Sequence, residues 1–399
     1  AAFRLGPEDE AHPVLAQRLV AAKPVTHREE VKAAGFIAAC ESAVVTYLDE
    51  ASAEPGYTVG VVVNRVASAR DLQARLQKRL GERAQVALIT GRMRPLDREA
   101  VERTLIPKIA AGRDRARGER PIVVVATQCI EAGADFDFDA LVTECASLDA
   151  LRQRFGRLDR LGQYGRAKAA IIARADALKE DPVYGEAYRK TWEWLKAQGG
   201  LDFGLGRWRA PEPEVLAGLS APVVHAPVLL PAHLDAWVQT APIPTPDPDI
   251  ALWLHGPSRG AADVQVVWRA DLDARDLEAV RTGADDAEDA REWALAAVEA
   301  VPPTSAEAMA VPIDAVRRWL AGHEEASLAD VEGALEREED WREQTVRGER
   351  WAVSWRGEDS EIIGPDRLRP GATIVVPASY GGIAEGTWAP SAATPVSDL

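Results

Sequence analysis

The sequence predicts an α/β fold built on a parallel sheet with helices on both faces. Between residues 57 and 175, short apolar runs rich in β-branched residues alternate with segments of helical periodicity. Strands joined by helical crossovers run parallel, and sheets of this kind are covered on both sides. The five predicted strands are Val59–Val63, Val86–Thr90, Pro121–Ala126, Ala140–Thr143 and Ala167–Ala173.

Leucine spacing and proline placement position the helices between those strands. Leu72, Leu76 and Leu80 form the apolar stripe of the helix that follows the first strand. Pro95 occupies a favourable first helical position, and we expect the helix that it opens to kink or end at Pro107.

Polar side chains follow three of the predicted strands. Asn64 closes the first strand, Arg92 and Arg94 lie just after the second, and Thr127 follows the third. Ligands of open parallel sheets bind outside the carboxyl ends of the strands. These four residues are therefore candidates for ligand contact.

Composition changes on both sides of this sheet. Residues 1–56 carry one long predicted helix, from Glu29 to Leu48. Residues 176–249 read as a helix followed by a Pro-rich connector, because nine of the 26 prolines fall between Pro211 and Pro248. Ten of the 12 tryptophans come after residue 200, so we expect a separate, smaller α+β domain over 250–399, with tryptophan anchors.

Charge is distributed unevenly along the chain. The whole sequence carries a net charge of −16, but the segment from Thr58 to Ala175 holds 22 Lys and Arg against 14 Asp and Glu. A basic segment inside an acidic chain is compatible with binding phosphates. The three cysteines show neither metal-ligand spacing nor an even-numbered disulfide framework, which favours a reducing cytoplasm and no metal site. No apolar run approaches the length of a membrane span.

The stretch from Ser147 to Arg160 is predicted to be one amphipathic helix. Its apolar side would pack on the sheet and comprises Leu148, Leu151, Phe155 and Leu158. Gln153, Arg157 and Arg160 would share the other side, beside Gly156, which leaves room for a close approach. Such a row is either a solvated surface or an anion-binding face, since guanidinium groups match phosphate oxygens bidentately.

Four segments in this region resemble motifs of superfamily 2 helicases. Gln153–Arg160 resembles motif VI, with the pattern Q-x-x-G-R-x-x-R, and Thr127–Asp135 resembles motif V. Val59–Asn64 resembles motif IV, and Thr90–Arg94 the motif that follows it. The order and the predicted elements agree with the second RecA-like lobe, and the resemblance implies that fold for residues 57–175.

Further segments resemble the helicase of type I CRISPR systems. The acidic run Asp135–Asp139 and the turn Gly91–Arg94 carry this likeness. Downstream segments are similar to the subtype I-G, formerly I-U: His225–Pro231, Leu234–Thr240, Leu254–Pro257 and Val264–Leu272. The implied function is ATP-dependent translocation on single-stranded DNA, after a crRNA-guided surveillance complex has opened the target, in a prokaryotic cytoplasm.

The resemblance assigns roles by motif position. Arg160 would be the arginine finger, Arg157 its γ-phosphate partner, and Gln153 a contact to the phosphate or to the attacking water. Gly133, Asp135 and Gly156 would approach the nucleotide, and the Asp135 carboxylate would accept a hydrogen bond from a ribose hydroxyl. Thr127, Asn64, Arg92 and Arg94 would contact the DNA backbone, although a structural turn role is the alternative for the last three. Arg154 is expected to pair with Asp159 or with another local acid.

Two signatures of the family are missing from the sequence. It contains no Gly-Lys dipeptide, hence no P-loop, and no His-Asp pair for the nuclease centre. We therefore expect a fragment, with residues 1–56 ending the first lobe and linking it to the second, and with the HD-type nuclease domain outside the chain. The cofactor would be ATP with Mg²⁺ held by the absent first lobe. The alternatives are a non-catalytic nucleic-acid-binding module or an RNA helicase lobe.

Overall fold

A computed structural model describes most of the chain. The described residues are 6–51, 54–115, 120–131, 133, 135–179, 181–222, 228–239, 263–323, 348–393 and 395–396. The larger unit contains a six-stranded sheet whose neighbouring strands are all parallel, in the order β1-β6-β5-β2-β4-β3. Its strands are Val25–Val31 (β1), Thr58–Val62 (β2), Gln85–Ile89 (β3), Ile122–Ala126 (β4), Ala140–Glu144 (β5) and Lys168–Arg174 (β6).

Helices cover both faces of this sheet, so the predicted RecA-like α/β class is confirmed. The interior strand β4, which lies next to the edge strand β3, shows why both faces are covered, since Val123 and Val125 belong to one apolar cluster and Val124 to the other. The helices of this unit are Pro7–Glu10 (α1), Pro13–Val20 (α2), Phe36–Glu50 (α3), Val66–Leu80 (α4), Pro95–Ile109 (α5), Leu148–Phe155 (α6) and Glu186–Ala197 (α7). Helices α3 and α4 pack on one face, and α5, α6 and α7 on the other.

Two boundaries differ from the expectations. Strand β1 lies within residues 1–56, and it pairs with β6 at the edge of the same sheet. The helix expected from Glu29 begins at Phe36 instead, because Glu29 belongs to that strand. Helix α5 continues through Pro107 to Ile109, although we expected it to kink or end there.

The C-terminal unit is smaller and has the predicted α+β character. Two short helices precede it, Pro213–Leu219 (α8) and Pro231–Val238 (α9). Its mixed sheet has the order β10-β9-β11-β7-β8. The strands are Asp263–Arg269 (β7), Met309–Pro312 (β8), Ala352–Trp355 (β9), Glu361–Ile363 (β10) and Thr373–Pro377 (β11), and a hairpin pairs Ile383–Ala384 (β12) with Thr387–Trp388 (β13). The helices are Ala274–Thr282 (α10), Ala287–Ala300 (α11) and Ile313–Leu320 (α12).

Three tryptophans anchor the core of this unit. Trp268, Trp319 and Trp388 are buried with their rings in mutual contact. Trp293, in contrast, is 73% exposed and anchors nothing in the described part of the chain. The predicted limit at residue 249 and the segment 254–257 lie outside the described residues.

The C-terminal unit contacts the larger unit next to the turn after β3. Met93 forms a bridge with Thr387, and the Leu96 amide donates to the Ala306 carbonyl at 3.1 Å. Arg70 of α4 donates to the Trp388 carbonyl at 2.8 Å. Within the described ranges, no helix combines the length and apolarity needed to cross a membrane.

Candidate functional site

The helix of the arginine motif is shorter than its sequence pattern predicts. Helix α6 ends at Phe155, and the chain after Gly156 instead pairs with the loop before β5. The Phe138 amide donates to the Arg157 carbonyl at 2.8 Å, and the Asp159 amide donates to the Phe138 carbonyl at 2.7 Å. The predicted helical face shared by Gln153, Arg157 and Arg160 is therefore wrong, because backbone pairing outcompetes a further helical turn.

Arg157 holds the loop that follows β4. Its side chain donates to the Ile130 carbonyl at 3.1 Å and to the Glu131 carbonyl at 2.7 Å, and the residue is 7% exposed. Burial lowers the pKa of this guanidinium. In this structure Arg157 positions a loop, which differs from the phosphate contact that motif position implied.

Arg160 and Asp135 lie together, as both assignments to a nucleotide site require. The Arg160 Nε atom is 2.8 Å from Asp135 Oδ1, and the two side chains are 31% and 69% exposed. A pair this exposed contributes about 0–1 kcal/mol, so it opens readily for a competing anion. The Arg160 amide also donates to Asp137 Oδ1 at 2.8 Å, which fixes the backbone below the side chain.

The remaining predicted nucleotide residues flank this pair. Gly133 and Asp135 line a cavity of about 430 Å³. Gly156 and Arg160 line a second, smaller cavity of about 150 Å³. Gly133 has a φ of +74°, a conformation that favours glycine, and a Cβ on Gly156 would come within 3.0 Å of the Gln153 carbonyl oxygen. Gln153 itself is exposed on α6.

An ionic cluster lies behind Arg160. Asp139 accepts from Arg113 at 2.7 Å, from the Thr58 amide at 2.9 Å and from Arg115 at 3.0 Å. Asp137 is also paired with both arginines, and burial raises its pKa. No local pattern indicates that these two loop arginines meet this carboxylate pair, because more than twenty residues separate them.

The carboxyl ends of the strands are less open than predicted. The Asn64 side chain donates to the Cys145 carbonyl at 2.8 Å and accepts from Arg154 at 2.8 Å, and the residue is 1% exposed. Arg94 is 5% exposed and forms two hydrogen bonds with Asp97, at 2.5 and 2.8 Å. The Asn64 amide and the Nε and Nη2 atoms of Arg94 thus make internal hydrogen bonds, as the structural alternative expects, and phosphate contact by these two side chains stays a prediction.

The carboxyl ends of β3 and β4 also carry polar side chains. Thr127 is fully buried, and its hydroxyl donates to Cys129 Sγ at 3.6 Å. Three neighbouring atoms are buried without a hydrogen-bond partner among the described residues: Thr90 Oγ1, Arg92 Nη1 and Gln128 Oε1. Buried polar atoms are normally satisfied. Of the predicted DNA contacts, Arg92 thus carries an unsatisfied donor, and Thr127 directly precedes Gln128, which carries an unsatisfied acceptor.

Arg154 is the most heavily bonded side chain at the site. It is fully buried and donates to Glu131, Thr143, the Glu144 carbonyl, Asn64 and Tyr184, at distances between 2.8 and 3.0 Å. Pairing with a local acid was expected, and the acid is Glu131 and not Asp159. Burial raises the pKa of the neighbouring Glu144 to about 7.

The comparison with known families agrees with this arrangement. A family model described as "CRISPR-associated nuclease/helicase Cas3, C-terminal" matches residues 55–163, which include β2 to β5 and the arginine motif. Residues 55–163 are thus similar to the C-terminal part of Cas3 proteins. The resemblance to the helicase of type I CRISPR systems is thereby confirmed, while the subtype I-G stays a prediction.

Curated Cas3 proteins are similar to about a third of the chain. The CRISPR-associated nuclease/helicase Cas3 of Methanothermobacter thermautotrophicus is 34% identical over 113 residues, covering 28% of this chain and 12% of that protein. The endonuclease/helicase Cas3 of Escherichia coli K12 is 32% identical over 138 residues, covering 35% and 15%. The chain therefore spans less than a fifth of the length of these relatives. The solved structure of T. fusca Cas3-ATP aligns with 18% identity and a TM-score of 0.40 over 62% of this chain and 31% of that one.

Proposed function

We propose that the chain supplies the second RecA-like lobe and an accessory C-terminal domain to an ATP-dependent single-stranded DNA translocase. The translocase would serve a type I CRISPR interference system, subtype I-G, in a prokaryotic cytoplasm. A crRNA-guided surveillance complex would recruit it to opened target DNA for unwinding and degradation. The first helicase lobe and the HD-type nuclease domain would be supplied from outside these residues.

The observation that carries this proposal is the loop between β4 and β5. It starts at the carboxyl end of β4, where Thr127 directly precedes Gln128, whose side-chain oxygen has no hydrogen-bond partner among the described residues. It then passes Glu131, which Arg154 and Arg157 hold, and reaches Asp135 beside Arg160. One continuous segment of the chain thus runs from the carboxyl end of β4, where we propose that nucleic acid binds, to Asp135 beside Arg160, where we propose that the nucleotide binds.

The residues present fit one half of a nucleotide site. Arg160 has a partly exposed guanidinium that an anion can reach, and bound ATP would supply free energy through hydrolysis of its terminal phosphate. Arg160 would neutralise charge on that phosphate, and Gln153 would approach it from α6. The Asp135 carboxylate would accept a hydrogen bond from a ribose hydroxyl. Since no cluster of His, Cys, Asp and Glu in the described part could hold a metal ion, we propose that the Mg²⁺ ligands come from the first lobe.

Replacing Arg160 in the full-length protein tests the finger assignment. We expect Arg160→Ala to lower DNA-stimulated ATPase activity by about 10³-fold or more, because the developing charge loses its cation, while DNA affinity changes little. Arg166→Ala is the matched control, since Arg166 pairs with Glu54 away from the motif loop. Wild-type turnover in the Arg160 variant would remove the assignment.

A second candidate applies to this chain by itself, because the sequence has no Gly-Lys dipeptide for a phosphate loop. In that case the 399 residues act as a non-catalytic nucleic-acid-binding module. ATPase activity of this chain, measured beside a protein that carries the first lobe, separates the two. Activity only in the longer protein supports the lobe proposal, and substantial activity in the chain alone contradicts it.

A further inference from the structure

A cleft with four cationic side chains lies next to Arg160, and Asp135 is not among its lining residues. Its volume is about 150 Å³. The cations come from three distant parts of the sequence: Arg18 from α2, Lys23 from the segment before β1, and Arg152 and Arg160 from the arginine motif. Phe155, Gly156, Phe203, Leu205 and Trp208 complete the lining.

Three of these cations form no ion pair with another described residue, although the charges of Asp159 and Asp137 act on Lys23. The ion pairs of the described residues do not include Arg18, Lys23 or Arg152, although the protein as a whole has an excess of acids. Lys23 lies at the floor of the cleft, 8% exposed, and donates to the Phe155 carbonyl at 3.0 Å. Burial lowers the pKa of this amine to about 8, so it remains mostly charged at neutral pH.

Aromatic stacking holds the wall of the cleft. Phe203 stacks on Phe155 at 3.9 Å and on Trp208 at 4.8 Å, and Arg152 lies 5.6 Å above the Trp208 ring. Phe203 and Arg152 thus both pack against the Trp208 ring. The cleft is smaller than a whole-ligand pocket, which begins at roughly 300 Å³.

Close backbone packing fixes the segment that carries Arg18 and Lys23. A Cβ on Gly162, Gly204 or Gly206 would overlap with the backbone oxygens of Gln17, Ala21 or Leu19. The Lys23 amide also donates to Asp202 Oδ1 at 2.7 Å, and the Phe203 amide donates to the Lys23 carbonyl at 3.1 Å. The backbone that carries Arg18 and Lys23 is consequently held in place before any ligand arrives.

We propose that this cleft binds a phosphate group, with Lys23 and Arg152 as binding residues beside Arg160 and with Arg18 at the rim. Guanidinium and ammonium donors without carboxylate partners suit phosphate oxygens, and the volume suits a phosphate without its nucleoside. The inference rests on the proposed function through Arg160, and it adds ligands that lie outside the four motif positions. The phosphate would belong to a nucleotide, and the nucleic-acid backbone is the other possible source.

Calorimetric titration of the full 399-residue chain with inorganic pyrophosphate tests the cleft. We expect Lys23→Met and Arg152→Met each to weaken pyrophosphate binding about tenfold, since each removes a charge-assisted hydrogen bond. Arg79→Met is the matched control, because Arg79 is an exposed arginine on α4, away from the cleft. Thermal unfolding should show that all three variants fold, and Arg152→Lys should recover part of the affinity.

Competition identifies the source of the phosphate. ADP is expected to displace pyrophosphate, whereas an oligodeoxythymidylate is not, and displacement by the oligonucleotide alone would overturn the nucleotide assignment. No pyrophosphate binding by the wild type, or equal binding by the Lys23 and Arg152 variants, would overturn the cleft itself. If those variants weaken binding while Arg160→Ala keeps its ATPase activity, the cleft stands and the proposed finger fails.

Discussion

Arg154 and Arg160 belong to the same sequence motif and have opposite environments. Arg154 is fully buried, and five internal acceptors take up its donors. Arg160 is partly exposed and has one carboxylate partner that solvent screens. One arginine-rich motif thus combines a buried side chain that holds the fold together with a partly exposed side chain that a ligand can reach.

The largest expected effect comes from removing the internal arginine. Arg154→Met should lower the free energy of unfolding by about 3–5 kcal/mol, because Glu131, Asn64 and Thr143 would lose a buried charged partner. Chemical denaturation measures this loss. Arg152→Met on the same helix is the control and should stay within about 0.5 kcal/mol. Equal losses of unfolding free energy in the two variants would contradict the proposed structural role of Arg154.

Glu144, next to Arg154, predicts how the buried region responds to pH. Its pKa is raised from 4.5 to about 7 in the folded state, so the folded protein retains a proton that the unfolded chain releases. The associated stability is complete below pH 4.5 and is lost as pH rises through 7. Wild type should lose roughly 1–3 kcal/mol over that window, and Glu144→Gln should lose less. Parallel profiles for the two proteins would contradict burial as the cause.

The smallest expected effect concerns the rim. Asp135→Asn removes the carboxylate that competes for Arg160, and pyrophosphate affinity of the chain should rise about two- to fivefold. If Asp135 also accepts a ribose hydroxyl, the same substitution should lower ATP affinity in the full-length protein relative to pyrophosphate. Unchanged pyrophosphate affinity would indicate that the pair with Asp135 does not restrict the arginine.

The strands and the motif order could be predicted from the sequence because buried parallel strands leave a continuous apolar signal. All five predicted strands are present, with ends shifted by one residue at most. The missed strand β1 reads Val-Thr-His-Arg-Glu-Glu-Val, and as an edge strand it is largely exposed and lacks that signal.

The site was harder to predict because its geometry depends on distant residues. Apolar spacing from Leu148 to Leu158 suits a helix, but pairing between Leu158 and Phe138 ends it early. Gly60 makes this pairing possible, since a Cβ there would lie 2.5 Å from the Phe138 ring. Lys23 meets Phe155 across 132 residues, a separation that no local pattern encodes.

The close packing of Gly162, Gly204 and Gly206 against residues 17–21 predicts which positions can vary in sequence among relatives. These glycines contact main-chain oxygens of Gln17, Leu19 and Ala21. They therefore constrain the path of the backbone at those positions and place little constraint on the side chains. Relatives with the same fold should therefore vary in sequence at positions 17, 19 and 21 while keeping glycine at positions 162, 204 and 206. In a homologue with larger residues at 162, 204 or 206, the segment that carries Arg18 and Lys23 could not pack in this position, and the cationic cleft would be absent.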